Sequence, residues 1–236
     1  RLLSDCSMRR ILLLLFLFPF LCHANVIISA TREIYPSDSK EVSVQLLNNG
    51  SDPSLVQAWI DDGDPDSTPE TARVPFLLMP PVAKVAAHSG QQLKIRYMGS
   101  TLPTDRESVF YLNVLDIPPV PENLKGKSVM QLAIRSRIKL FFRPAGLKIS
   151  PKKMIDNVTL TQQNDSIILH NATPYFLTLS GISLNKTGNI LKSGLMVTPF
   201  SQQSLKTSKT IISGTPVTLV YINDYGASVE LQKKIQ

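Results

Sequence analysis

Val129-Met130-Gln131-Leu132-Ala133-Ile134-Arg135-Ser136-Arg137-Ile138-Lys139-Leu140-Phe141-Phe142-Arg143 alternates apolar and polar side chains with a period of two over most of its length. In an extended strand Met130, Leu132, Ile134, Ile138 and Leu140 fall on one face, and Gln131, Arg135, Arg137 and Lys139 on the other. A strand covering the whole stretch would be about twice the usual length. Part of it therefore overhangs its own sheet, and a long apolar edge invites another chain.

The same period recurs on either side of this stretch. Val42-Ser43-Val44-Gln45-Leu46 and the run from Val109 to Leu115 alternate in the same way, with turn-forming Asn48-Asn49-Gly50 and His88-Ser89-Gly90 placed between such runs. In the last third, Ser166 to Leu169, Phe176 to Leu184 and Val217 to Ile222 form further short runs separated by Asn, Gly and Pro. Helical spacing is far rarer than alternation, so the fold class is all-β. Strands at roughly ten-residue intervals point to antiparallel immunoglobulin-like β-sandwich domains, of about 100 residues each, and the chain has room for two. Phe142-Arg143-Pro144-Ala145-Gly146-Leu147 supplies a stiff, turn-rich hinge between them. The expected boundaries are 25–144 for the first domain and 147–236 for the second.

The chain has 236 residues, Lys+Arg 25 against Asp+Glu 18, with 43% hydrophobic and 18% charged residues, which suits a packed core and excludes a disordered tail protein. Met8-Arg9-Arg10 precedes the apolar run Ile11 to Cys22 and the small-residue end His23-Ala24, the pattern of a cleaved secretory signal peptide over 1–24. Its apolar run is about 12 residues, short of the roughly 20 that span a bilayer. Met8 stands where such a leader begins, so Arg1 to Ser7 read as upstream sequence. Both cysteines, Cys6 and Cys22, lie in that segment. The exported remainder then has no disulfide and no thiolate metal site, which fits a bacterial periplasmic protein better than a disulfide-stapled extracellular module.

Catalytic constellations are missing. Beyond the leader only His88 and His170 remain as histidines, and there is no Gly-x-Ser-x-Gly, no His-Glu-x-x-His and no phosphate-binding glycine loop. Asp61-Asp62-Gly63-Asp64-Pro65-Asp66 resembles the start of a calcium loop, but the twelfth position counted from Asp62 is Arg73 where a bidentate Glu is required, so it reads as an exposed loop. Arg135, Arg137, Lys139 and Arg143 form a basic stripe, yet export, the single Trp59 and the modest net charge argue against a nucleic-acid partner. The expectation is no catalytic residue, no cofactor and no metal.

Leu102-Pro103-Thr104-Asp105-Arg106-Glu107-Ser108-Val109-Phe110-Tyr111-Leu112-Asn113-Val114-Leu115-Asp116-Ile117-Pro118 closely resembles the signature of the periplasmic pilus (fimbrial) chaperones, and Ile138 to Pro144 resembles the last strand of their first domain. Gln57-Ala58-Trp59 and Ile222-Asn223-Asp224-Tyr225-Gly226-Ala227 are also similar to that family. The short connection from Pro118 to Val129, with no cysteine pair around it, resembles the short-loop subfamily that serves rod-like pili.

The resemblance implies two immunoglobulin-like domains set as an L, with a cleft that holds a pilus subunit. Arg32 and Lys139 match the two basic residues that grip the subunit's C-terminal carboxylate. Met130, Leu132 and Ile134 match the donor strand that completes the subunit. Glu107, Arg143 and Asp224 match an inter-domain ion cluster. The implied partners are pilus subunits and an outer-membrane usher, and self-association of the free chaperone is the other use such an edge strand permits. Two readings from other classes compete. A secreted two-domain immunoglobulin-like adhesion module lacks its usual inter-sheet cysteines, and a secreted β-sandwich hydrolase would need a nucleophile beside His88 or His170.

Overall fold

The computed structural model describes residues 26–236 except 100, 121, 123, 124, 129, 185–187 and 208–210. The signal peptide expected over 1–24, with Met8 and both cysteines, lies outside the described residues. No helix among the described residues is long and apolar enough to cross a membrane.

Among the described residues the first sandwich contains nine strands: β1 Val26–Ile28, β2 Arg32–Pro36, β3 Val42–Asn48, β4 Ser54–Asp61, β5 Phe76–Met79, β6 Val82–Val85, β7 Gly90–Tyr97, β8 Ser108–Ile117 and β9 Ile134–Arg143. They form two sheets, ordered β1-β3-β7-β5 and β2-β9-β8-β4-β6. Pairing is antiparallel except between β2 and β9, where Arg32 stands opposite Lys139 in a parallel register. The edge strands of the two sheets follow one another in the chain, β1 leading into β2 at one edge and β5 into β6 at the other, so that continuous chain passes between the sheets at both edges of the sandwich.

Alternation places Leu46, Leu93, Ile95, Leu112 and Leu140 wholly inside. An aromatic group of Tyr35, Phe76, Tyr97, Phe110 and Phe142 fills the end of this core nearest the hinge, with Tyr97 and Phe142 ring centroids 4.5 Å apart. The Tyr35 hydroxyl accepts from the Tyr97 amide at 3.0 Å and lies 3.1 Å from the Ser39 and Lys40 carbonyls, so the buried phenol is satisfied. Buried Asp116 accepts the Val26 amide at 3.0 Å and the Ser54 hydroxyl, which ties the first strand to the signature strand.

The second sandwich has β10 Val158–Gln163, β11 Ser166–Asn171, β12 Leu177–Leu184, β13 Leu195–Val197, β14 Ser201–Lys206, β15 Pro216–Ile222 and β16 Ser228–Lys234. Its sheets run β10-β11-β14 and β13-β12-β15-β16, around a separate core that includes Val158, Leu160, Ile167, Leu169, Leu177, Leu179, Ile182, Val217 and Leu219. Both halves are all-β sandwiches, as alternation in the sequence implies.

β9 begins at Ile134: the last β8–β9 pair is Asp116 with Ile134, and no strand among the described residues pairs with 130–133, so this part of the alternating stretch overhangs the sheet. One local expectation is corrected. Asp61 is not loop surface. It ends β4 with 1% of its surface exposed, because Arg137 and Asn113 supply partners that make its burial tolerable.

Candidate functional site

Arg143 closes β9 immediately before Pro144, and its fork meets both sandwiches. Nε donates to Glu107 Oε1 at 2.7 Å, while Nη1 and Nη2 donate to the two carboxylate oxygens of Asp224 at 2.7 and 2.8 Å. Glu107 precedes β8 and is 2% exposed at its side chain; Asp224 lies in the turn joining β15 to β16 and is 39% exposed. The planar guanidinium suits this double load, which a lysine could not carry. The main chain adds a second half to the contact. Glu107 Oε2 accepts the Phe176 amide at 2.8 Å, and the Glu107 amide donates to the Pro174 carbonyl at 2.9 Å. Tyr175 lies between them, its ring 5.0 Å from the Arg143 guanidinium carbon and its hydroxyl donating to the Ile149 carbonyl. Buried Asn171 shapes this turn by donating to the carbonyls of Tyr175 at 2.8 Å and Thr198 at 3.0 Å. Burial raises the Glu107 carboxyl above its ordinary value, against the pull of Arg143 and the Phe176 amide, and the two carboxylates hold the Arg143 guanidinium firmly charged.

Beside this cluster lie two cations, Arg32 and Lys139, with no counter-ion of their own among the described residues. Arg32 opens β2 and Lys139 is its register partner on β9, so the two side chains share one face of the sheet. Arg32 Nη1 donates to the Ile222 carbonyl at 3.2 Å, the guanidinium carbon stands 5.6 Å from the Phe141 ring centre, and Nε is buried with no hydrogen-bond partner among the described residues. Burial lowers the pKa of both groups. Arg32 lowers that of Lys139 further, while Asp224 and Glu107 partly offset the effect on Arg32. Those two carboxylates are already engaged by Arg143. A cavity of about 400 Å³ opens here, lined by Arg32, Phe141, Arg143, Tyr175, Ile222 and Asp224 among others, so residues of both sandwiches form its walls. Two adjacent half-buried cations are an arrangement that an anionic group would stabilise, gaining charge-assisted bonds in partly shielded surroundings.

The edge of β9 begins next to this pair. β8 covers β9 from Ile134 to Phe142, but β2 covers it on the other side only from Lys139 to Arg143. Residues 134–138 therefore present one open row of main-chain donors and acceptors. Met130 and Leu132, before the strand, and Ile134, its first residue, are exposed to 88%, 69% and 42%, and Ile134 lies on the same face of β9 as buried Leu140. The polar face of β9 is occupied by the protein itself: Arg137 meets buried Asp61 at 2.5 Å and stacks 3.9 Å from the Tyr111 ring centre, and Arg135 donates to the Pro65 carbonyl at 2.5 Å. Burial would raise the Asp61 carboxyl, yet Arg137, Asn113 and the Gly63 amide outweigh it and hold the group below the usual carboxylate range.

Family models described as pili and flagellar-assembly chaperone, PapD N-terminal domain, and pili assembly chaperone PapD, C-terminal domain, match residues 25–148 and 153–233. The chain belongs to the pilus-assembly chaperone family. It is 40% identical to the chaperone protein MrkB of Klebsiella pneumoniae over 97% of this chain and all of that protein. The solved structure of the YadV chaperone is 37% identical, covers 90% of this chain and 100% of its own, and superposes with a TM-score of 0.74. The SafB chaperone of Salmonella enterica, solved in complex with the SafA pilin, matches at 25% identity and TM-score 0.76, over 89% of this chain and 96% of that one.

In this chaperone the structure brings Glu107, Arg143 and Asp224 into direct contact, sets Arg32 beside Lys139, and leaves Met130, Leu132 and Ile134 apart from both groups at the far end of β9. Sequence reading missed Tyr175, the Pro174 carbonyl, the Phe176 amide and the Ile222 carbonyl. Three of the four act through the main chain, which carries no residue-type signal. Tyr175 alone was findable, from the Asn171-x-Thr173-Pro174-Tyr175 turn pattern.

Proposed function

We propose that this chain is a periplasmic, non-enzymatic chaperone that binds, folds and caps pilus subunits by donating a strand and delivers them to an outer-membrane usher. The observation that carries the reading is the adjacency of an open β9 edge, residues 134–138, to Arg32 and Lys139. A subunit strand laid along that edge gains main-chain hydrogen bonds, and its terminal carboxylate meets the two cations where β2 blocks further pairing. Met130, Leu132 and Ile134 then enter the subunit's incomplete core and set register. Export through a signal peptide cleaved near Ala24 places the chain where pilus subunits cross the periplasm. The domains are read as 25–144 and 147–236, supported by two separate buried cores and by the spans of the two family models.

The test is capture from periplasm by a tagged chain. Small secreted subunits co-purify with the wild-type protein, whereas Arg32→Ala and Lys139→Ala lose them while keeping the wild-type melting temperature, since neither side chain lies in a core. Retention of subunits at wild-type yield by both variants would overturn the anchor.

A further inference from the structure

The β15–β16 turn is stiff in its own right. The Asn223 amide donates to the Ala227 carbonyl at 2.9 Å and the Gly226 amide to the Asn223 carbonyl at 3.0 Å, while Asn223 Oδ1 accepts the amides of Tyr225 and Ala227, each at 3.0 Å. This one rigid loop touches the first domain through three alternate residues. The Ile222 carbonyl accepts from Arg32 Nη1, Asp224 grips Arg143, and Gly226 seats against Thr31, the residue before Arg32. Gly226 has φ +81°, and a Cβ there would fall well inside contact distance of Thr31 Oγ1 and 3.4 Å from Thr31 Cβ. The absence of a side chain is thus what lets the turn close on the strand that carries Arg32.

The geometry points to the β15–β16 turn, seated by Gly226 on Thr31, as the positioning element for Arg32 in subunit capture. The Ile222 carbonyl makes the only hydrogen bond found for the Arg32 side chain among the described residues, and through Nη1 it fixes the orientation of the guanidinium. Since the same turn carries Asp224, the domain angle and the orientation of the anchor are set by one body. Capture of a carboxylate and closure of the domains are then coupled, and by linkage each favours the other.

This inference rests on the proposed capture of a subunit carboxylate by Arg32. Its test uses the subunit recovered in the pull-down and, in parallel, small-angle scattering of the free chaperone. Gly226→Asn supplies a Cβ on a residue type that tolerates positive φ, so it isolates the contact with Thr31. Thr31→Leu wedges the same contact from the other side without altering the turn. Each is expected to widen the free protein's scattering profile and weaken capture about tenfold or more, the equivalent of one displaced charge-assisted hydrogen bond. Thr31→Ala alone behaves as wild type, and Thr31→Ala with Gly226→Asn regains the wild-type profile and capture within about threefold, because the clashing hydroxyl is gone. Unchanged capture and shape in Gly226→Asn, or failure of the double variant to recover, would overturn the inference. Wild-type capture by Arg32→Ala would sink the anchor reading instead, and the scattering arm would still report whether the turn is seated.

Discussion

Glu33 shows how a single side chain sets a pH response. It occupies the inward face of β2 beside Tyr35, opposite buried Leu140 in the parallel pairing with β9. Burial pushes its carboxyl from an ordinary 4.5 up to about 7. A folded-state value above the unfolded one means that the folded protein prefers the protonated acid. The stability this group contributes is fully present below about pH 4.5 and is lost as the pH rises through about 7. Glu33→Gln stays neutral throughout, so its melting temperature should exceed that of the wild type by a margin that grows between pH 5 and pH 8. A margin that stays constant across that window would rule Glu33 out as the titrating group. Nothing in the sequence announced this residue, because Arg32-Glu33-Ile34-Tyr35 does not alternate and the face of each side chain is fixed only by the pairing with β9.

At the scale of the strand, one element serves two roles, and the division falls inside β9. Leu140 is fully buried and belongs to the sandwich, whereas Leu132 precedes the strand and is 69% exposed. Leu140→Ala is expected to cost about 2–5 kcal/mol by opening a cavity. Leu132→Glu and Ile134→Glu should leave the free chaperone's melting temperature within a few degrees of wild type and abolish subunit capture, since a carboxylate forced into an apolar groove goes unpaired. A large drop in melting temperature for either would place that side chain in the chaperone's own core. Alternation made the face of each residue legible here but not the start of the strand, since period two reports side-chain direction and a ladder needs a partner. The second domain teaches the same lesson. The runs legible in sequence became β11, β12 and β15, which are the interior strands of their sheets, while β10, β13, β14 and β16, all edges, were not legible. An edge such as Ser201-Gln202-Gln203-Ser204-Leu205-Lys206 packs few apolar side chains and leaves almost no pattern.

For the whole molecule, the two sandwiches have separate cores, so their relative placement depends on contacts at the hinge, the polar cluster on Arg143 together with the Phe141 and Phe176 rings, whose centroids are 5.7 Å apart. The three charged residues of that junction are nameable from the family resemblance, but the Pro174 carbonyl and Phe176 amide that complete it are not. The two carboxylates on Arg143 sit in unlike surroundings, and this separates their expected effects. Glu107 is sequestered, so Arg143→Ala leaves a buried carboxylate with the Phe176 amide as its remaining hydrogen-bond donor among the described residues, at a cost of about 3–5 kcal/mol. That penalty should shrink in acid, because the carboxyl, already raised by burial, can escape it by taking a proton. Asp224 is partly exposed and belongs to the other domain, so Asp224→Ala should cost only about 0–1 kcal/mol in melting experiments. It nonetheless removes both hydrogen bonds that Arg143 sends across the junction, and should therefore loosen the domain angle as much as Arg143→Ala does. Small-angle scattering would show a broader profile for both variants, and limited proteolysis would show faster cleavage near Ala145 to Leu147, where Gly146 sits at φ +77° in the connecting turn. If Asp224→Ala kept the wild-type profile and cleavage rate while Arg143→Ala lost both, the angle would depend on Glu107 and the Pro174–Phe176 backbone rather than on the ion pair across the cleft.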